Sequence, residues 1–394
     1  IDLNDMTSLR EKVNQIFHYW RNKRNITIPF SAEQRYRFLT AINKQISMSA
    51  AAGALIPIKE KEFSKIDFVQ DSILDCLHNY RQAQIVGGAG TGKTFIGIKK
   101  AVRDVLDEKK VLFICCNEEL TAFVRSRLSQ YPKIDVFTYA ELMRNLLGDL
   151  YDELPTNPDG NKSCFEYMDD VPAEKKYDSI IFDIDMGLAI RSLMLDDSTS
   201  SLYVFYDKNQ NVFEMDFENA FAIDAPPYVL RYNIRNTGSI YQCAVERTNL
   251  GRDTVANNIV GVHPEIHNYT KPSQAVKALS LIVNRLVQKE YVPSESIVIV
   301  SDSPYENSIL AGETRIGAYN LVFKHYRDVC EDEICFKTAE EFKGLESNVV
   351  IYLTHEFTNL PSSTIDNRKE YVAITRARYY LYVLNTKCKA TIGD

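Results

Sequence analysis

The stretch Gly87-Gly88-Ala89-Gly90-Thr91-Gly92-Lys93-Thr94 constrains the fold more than any other part of the chain. It follows the short apolar pair Ile85-Val86 and precedes a helical run from Phe95 to Leu106, so G-x-x-x-x-G-K-[ST] stands in the strand–loop–helix setting of a phosphate-binding loop. Glycines let backbone N–H groups turn inward around a polyphosphate, and the next helix presents its positive end to the same anion. In such a loop Gly87 to Gly92 form the cradle, Lys93 reaches the β- and γ-phosphates, and the Thr94 hydroxyl ligates a metal. ATP and Mg²⁺ are the expected ligands. The bland alternative, a glycine-rich turn with a chance Lys-Thr, does not account for the flanks.

The remainder of the chain suits that setting. Short apolar runs at Gln84–Val86, Val111–Cys116, Ile134–Thr138, Ser179–Asp183, Leu202–Tyr206, Tyr228–Tyr232, Ile297–Ser301, Val349–Leu353 and Tyr380–Leu384 are separated by helical stretches. Near-continuous apolar strands alternating with helices predict parallel sheets covered on both faces. There are too many for one sheet, and Ala225-Pro226-Pro227 supplies a break. The expectation is two α/β domains, 67–225 and 226–394, with the nucleotide between them. Residues 1–66 read as a helical preface, with Leu9, Val13, Ile16, Phe17 and Trp20 on one helix face, a capping box at Ser31 and Gln34, and a loop at Ala50 to Gly53.

Composition limits the partners. The net charge of −7 argues against a protein that coats nucleic acid by bulk electrostatics, and leaves room for a local basic groove. No apolar run approaches the roughly 20 residues that span a bilayer, and no signal peptide is legible. The 8 cysteines form no C-x-x-C pair and read as reduced thiols of a cytoplasmic protein. The 6 histidines are scattered, with no metal-binding spacing. The chain opens on Ile1 rather than Met, which reads as a fragment or an incomplete sequence.

Further segments, in order, resemble the superfamily 1 helicases of the UvrD/Rep type from about Phe68 to Leu384. Phe68-Val69-Gln70 is similar to the family's glutamine motif, which implies that Gln70 reads the adenine edge; an amide donates and accepts at once. Val111 to Asn117 and Phe137-Thr138-Tyr139 resemble its strand-end motifs, implying Asn117 and Thr138 at single-stranded nucleic acid. Leu202 to Phe213 resembles motif III, with Gln210 sensing the γ-phosphate. Leu230 to Thr237 resembles motif IV and Tyr371 to Arg378 motif VI, which makes Arg235 and Arg376 the implied arginine fingers; guanidinium is always charged and forks onto phosphate oxygens. Thr338 to Glu346 resembles motif V, with Thr338 at the nucleic-acid backbone and Glu346 at the ribose.

Tyr177 to Asp183 resembles the Walker B strand, with Asp183 holding Mg²⁺ through water. Here the chain departs from the family. An Asp-Glu pair is expected, and the sequence reads Asp183-Ile184-Asp185-Met186. The glutamate that activates the attacking water is absent. Three explanations stand open: a loop missing from the sequence in hand, a true deletion, or substitution by Asp185. A positioned general base contributes about 10²–10⁴ in rate, so the choice matters.

The resemblance implies two RecA-like P-loop domains that hydrolyse ATP at their interface and step along single-stranded DNA, RNA not being excluded, with Lys93, Asp183, Gln210, Arg235 and Arg376 as the catalytic set. Short intervals between motifs imply a compact motor. Family members fused to a nuclease make a fused or partner nuclease a further expectation. The alternative from another class is a slowly hydrolysing, nucleotide-dependent switch that controls such a nuclease.

Overall fold

The computed structural model describes residues 52–63, 68–77, 79–154, 171–183, 190–210, 223–357 and 364–388, with isolated positions between 15 and 23. Ile1–Ala50 and Ala51–Asp394 are separate compact units. In the first, only five helical positions are described. The apolar face from Leu9 to Trp20 and the Ser31–Gln34 box lie outside the described residues, as do Asn157 to Lys162.

In the second unit, α1 (Ala52–Phe63) begins where a loop was expected from Ala50 to Gly53. Ala52 and Ile56 find apolar partners in the core of the second sheet, and the Gly53 amide bonds to Glu290 O at 2.8 Å. Burial of that face outweighs the Gly and Pro of its sequence. After α2 (Phe68–Leu77) the chain alternates β1 (Gln82–Gly87), α3 (Lys93–Leu106), β2 (Val111–Cys115), α4 (Glu118–Leu128), β3 (Ile134–Thr138), α5 (Tyr139–Leu147), β4 (Ser179–Asp183), β5 (Ser201–Tyr206) and β6 (Tyr228–Leu230). The strands form one parallel sheet in the order β3-β2-β4-β5-β1-β6. Every residue of β2 and β5 is buried, as apolar strands covered on both faces require. β6 comes from beyond Ala225-Pro226-Pro227, so the chain changes sheets after Leu230.

The second sheet follows: α6 (Gly238–Thr248), β7 (Glu265–Tyr269), α7 (Pro272–Gln288), β8 (Ile297–Ser301), β9 (Arg315–Ile316), β10 (Tyr319–Val322), β11 (Glu333–Thr338), β12 (Ser347–Phe357), α8 (Thr364–Ile374) and β13 (Ala377–Cys388). Its order is β7-β13-β12-β8-β11-β10-β9, parallel except for the β9–β10 pair. These are two parallel-rich α/β sheets, the fold class expected. One apolar cluster runs across their seam, joining Ile96, Leu120 and Val124 to Phe342, Leu345, Tyr371 and Ile374.

α4 carries much of that seam. Gly344 adopts φ +89°, and a Cβ there would stand 2.8 Å from Leu120, so only glycine lets the helix approach. Beside it the Glu119 carboxylate pairs with buried Lys337 and accepts the Tyr326 amide at 3.1 Å. Arg327 lies over the Phe123 ring, 4.4 Å from its centroid, and bonds Ser126 Oγ at 2.7 Å.

Candidate functional site

In an open parallel α/β sheet, ligands bind at the carboxyl ends of the strands. The glycine loop leaves that end of β1. Gly90 and Gly92 adopt φ +71° and +89°, which turns the loop tightly into α3. Lys93 Nζ donates to Gly87 O at 2.8 Å and Gly88 O at 3.1 Å, and Thr91 Oγ1 to Gly88 O at 2.9 Å. Asp183 closes β4, and its Oδ2 accepts the Thr94 hydroxyl at 2.6 Å. Lys93, Thr94 and Asp183, distant in sequence, thus share one corner.

The second sheet supplies the opposite wall. Arg235, Lys343, Gly344 and Arg376 line the same cavity as Ala89, Gly90, Gly92, Lys93, Thr94 and Asp183. Arg376 is fully buried, its guanidinium held by Val372 O at 3.0 Å, Leu345 O at 3.3 Å and Thr375 Oγ1 at 3.1 Å. Arg235 is fixed by Glu346 at 2.6 Å and Gly344 O at 3.3 Å. The glycine loop is itself gripped from that side: Asn233 Nδ2 donates to Ala89 O at 2.9 Å, the Ile234 amide to Gly90 O at 2.7 Å, and the Ala89 amide to the Tyr371 hydroxyl at 3.4 Å. Asn233 Oδ1 accepts the Asn236 amide at 2.9 Å, and Asn236 Nδ2 donates to Thr375 O at 3.0 Å, which ties this turn to the end of α8.

Four basic side chains, Lys93, Arg235, Lys343 and Arg376, face two acidic ones, Asp183 and Asp207. Burial presses the Lys93 ammonium toward its neutral form, with Asp207 and Asp183 opposing. Burial, and after it the charges of Arg376 and Lys93 against that of Cys116, brings Lys343 down to about 8. Burial and the like charge of Arg235 lower Arg376 as well. Cations so destabilised favour a polyanion in the cavity. The left-handed glycine loop suits phosphate oxygens. The Thr94 hydroxyl and the half-buried Asp183 carboxylate, whose pKa desolvation raises against the Thr94 hydrogen bond and the Lys93 charge, are the hard oxygen donors that Mg²⁺ takes alongside phosphate. Among the described residues no cluster of three or more His, Cys, Asp and Glu offers a metal cage. The cavity measures about 50 Å³.

The other implied residues are placed differently. Glu346 lies in an adjoining cavity, between Arg235 and Arg378. Gln70 is in α2 and Gln210 ends the turn Lys208–Gln210; both side chains lie outside the described residues, as do Ile184, Asp185 and Gly187. The three residues implied at nucleic acid act as caps. Thr138 forms a capping box with Glu141 at α5, and Thr338 does the equivalent with Glu341, whose Oε2 accepts the Thr338 amide at 2.8 Å. Asn117 Oδ1 caps α4 through the Leu120 amide at 2.8 Å, while its Nδ2 crosses the seam to Glu340 O and Lys343 O, both at 3.0 Å. Asn117→Ala is therefore expected to lower stability by about 1–2 kcal/mol, read as a shift of the urea midpoint at constant slope. A shift equivalent to less than about 0.3 kcal/mol would show the latch to be inert.

Sequence reasoning assigned no role to Asn233, Asp207, Lys343 or Tyr371. The available signal was position alone, since Asp207 and Lys343 adjoin residues already singled out.

No protein-family model and no curated protein matches the chain. Among solved structures it is similar to arterivirus nonstructural protein 10, a helicase, solved with DNA (11% identity, TM-score 0.36, 77% of this chain and 60% of that one) and alone (12% identity, TM-score 0.37, 77% and 59%). It is also similar to the C-terminal domain of a possible DNA helicase from Lactobacillus (12% identity, TM-score 0.30, 40% and 90%). The chain spans about six-tenths of the length of the arterivirus helicases. Among the described residues no helix is long and apolar enough to cross a membrane.

Proposed function

We propose that the chain is an ATP-driven translocase on single-stranded nucleic acid, DNA in the first instance, of the superfamily 1 UvrD/Rep type. The observation that carries this is the seam cavity, where a glycine loop and an Asp–Thr pair from one sheet meet the buried Arg376 and the half-buried Arg235 from the other, with cations in excess. Lys93 holds the β- and γ-phosphates once it leaves Gly87 O and Gly88 O. Thr94 and Asp183 would hold Mg²⁺, which would supply positive charge against that developing on the phosphate. Arg235 and Arg376 then bond the γ-phosphate from the far side. A triphosphate thereby binds both sheets and a diphosphate mainly one. Each nucleotide state favours its own arrangement of the sheets, which is what stepping along a strand requires.

The test is ATP turnover with and without a single-stranded oligonucleotide. Strong stimulation supports the motor. Tight ATP binding with negligible turnover under both conditions would instead establish a binding switch.

Lys343 adds a pH signature. Its charge is fully present below about pH 8 and is lost above it. A bound polyphosphate favours the protonated form, so ATP affinity is expected to fall by up to about tenfold per pH unit above 8. In Lys343→Met the fall that sets in near pH 8 should be lost, leaving only what Lys93 and Arg376 contribute at higher pH, as measured by nucleotide titration. An identical slope in the variant would remove Lys343 from the site.

A further inference from the structure

Asp207 is the first residue beyond β5, the strand between β1 and β4. The register sets Tyr206 beside Val86 and Phe205 beside Asp183. The turn after β5 therefore opens between the glycine loop and the carboxylate paired with Thr94. Asp207 lines the same cavity and is 2% exposed. Its Oδ1 accepts the Asn209 amide at 2.9 Å, which suffices to cap the turn Lys208–Gln210. Among the described residues its Oδ2 has no hydrogen-bond partner. Buried carboxylate oxygens are ordinarily satisfied, and an orphan inside a site calls for an explanation. The strongest opposite charge acting on this group is Lys93. The sequence meanwhile lacks the glutamate expected directly after Asp183.

We infer that Asp207 is the general base of ATP hydrolysis, a role that rests on the ATPase reading above. As the water oxygen bonds to the γ-phosphorus, the bond from that phosphorus to the β,γ-bridging oxygen breaks. The electron pair leaves with ADP, and the water proton passes to Asp207 Oδ2, from which solvent removes it.

Asp207→Asn keeps the volume and the acceptor for the Asn209 amide while abolishing the base. Nucleotide affinity and KM are expected to stay within about threefold, with kcat falling about 10²–10⁴-fold. The kcat–pH profile carries a readout that a capping role would not move. A base must be deprotonated, so wild-type kcat rises with pH through its pKa. Burial raises that pKa above the usual carboxylate range, and Lys93 opposes the shift. The rising limb should be absent in Asp207→Asn. Asp207→Glu, which retains a proton acceptor, should recover at least about tenfold of the loss. Retained kcat in Asp207→Asn, or an unchanged acid limb, would overturn the assignment. So would a comparable loss in Asp185→Asn with Asp207→Asn unaffected. A wild-type chain that does not hydrolyse ATP sinks the motor reading itself, whereas a hydrolysing wild type with an unaffected Asp207→Asn sinks only this assignment.

Discussion

Lys93→Ala is expected to lower kcat for ATP about 10²–10³-fold, the loss seen when one preorganised donor is removed from a developing charge, and to weaken ATP binding as well. Lys93 reaches back to the loop from the first turn of the next helix, bonding Gly87 O and Gly88 O. Alanine removes the charge and releases those two carbonyls toward the phosphate path, so ground-state and transition-state interactions are both lost. A difference in thermal midpoint between variant and wild type, with and without ATP, separates the two causes: a folding defect lowers both midpoints, and a binding defect removes only the stabilisation by ligand. Retained turnover within about threefold would detach the glycine loop from the chemistry.

Arg376→Ala is expected to cost more, about 10³–10⁵ in kcat, the range for a guanidinium acting on a transferring phosphoryl group. The side chain is fully buried, and its three hydrogen bonds go to neutral acceptors, so its charge is oriented without being neutralised at short range. An electrophile prepared in this way needs little reorganisation during the reaction. Arg376→Lys preserves the charge and loses the fork, and should recover only part of the activity. The decisive comparison is between nucleotides. A γ-phosphate ligand should be lost from ATP affinity and spared in ADP affinity. Equal losses for ATP and ADP would make Arg376 a structural residue of the α8–β13 junction.

Much of the fold was legible because parallel strands covered on both faces must be apolar throughout. Ser179–Asp183 and Ile297–Ser301 stand where continuous apolar runs placed them. Strands that escape that rule were not legible. Glu265–Tyr269 is a half-exposed edge of polar alternation, and Glu333–Thr338 carries a lysine in its interior. Lys337 reads as a surface residue until Glu119, from the other sheet, is seen to pair with it. Likewise Tyr228–Leu230 joins the first sheet despite the two prolines before it, because pairing with β1 is decided by space and not by the linker.

The site divides the same way. A glycine loop is a local object: left-handed glycines, a lysine and a hydroxyl at fixed spacing form one turn, so sequence alone determined that a tight glycine turn joins a strand of a parallel sheet to the next helix. Which groups answer it from across the seam was decided by tertiary structure. Asn117 became a latch because the carbonyls of Glu340 and Lys343 come within its reach, and Asp207 entered the cavity because β5 threads between β1 and β4. Backbone geometry acts over a few residues, whereas burial and charge act between whatever folding brings together, and no spacing along the chain encodes that.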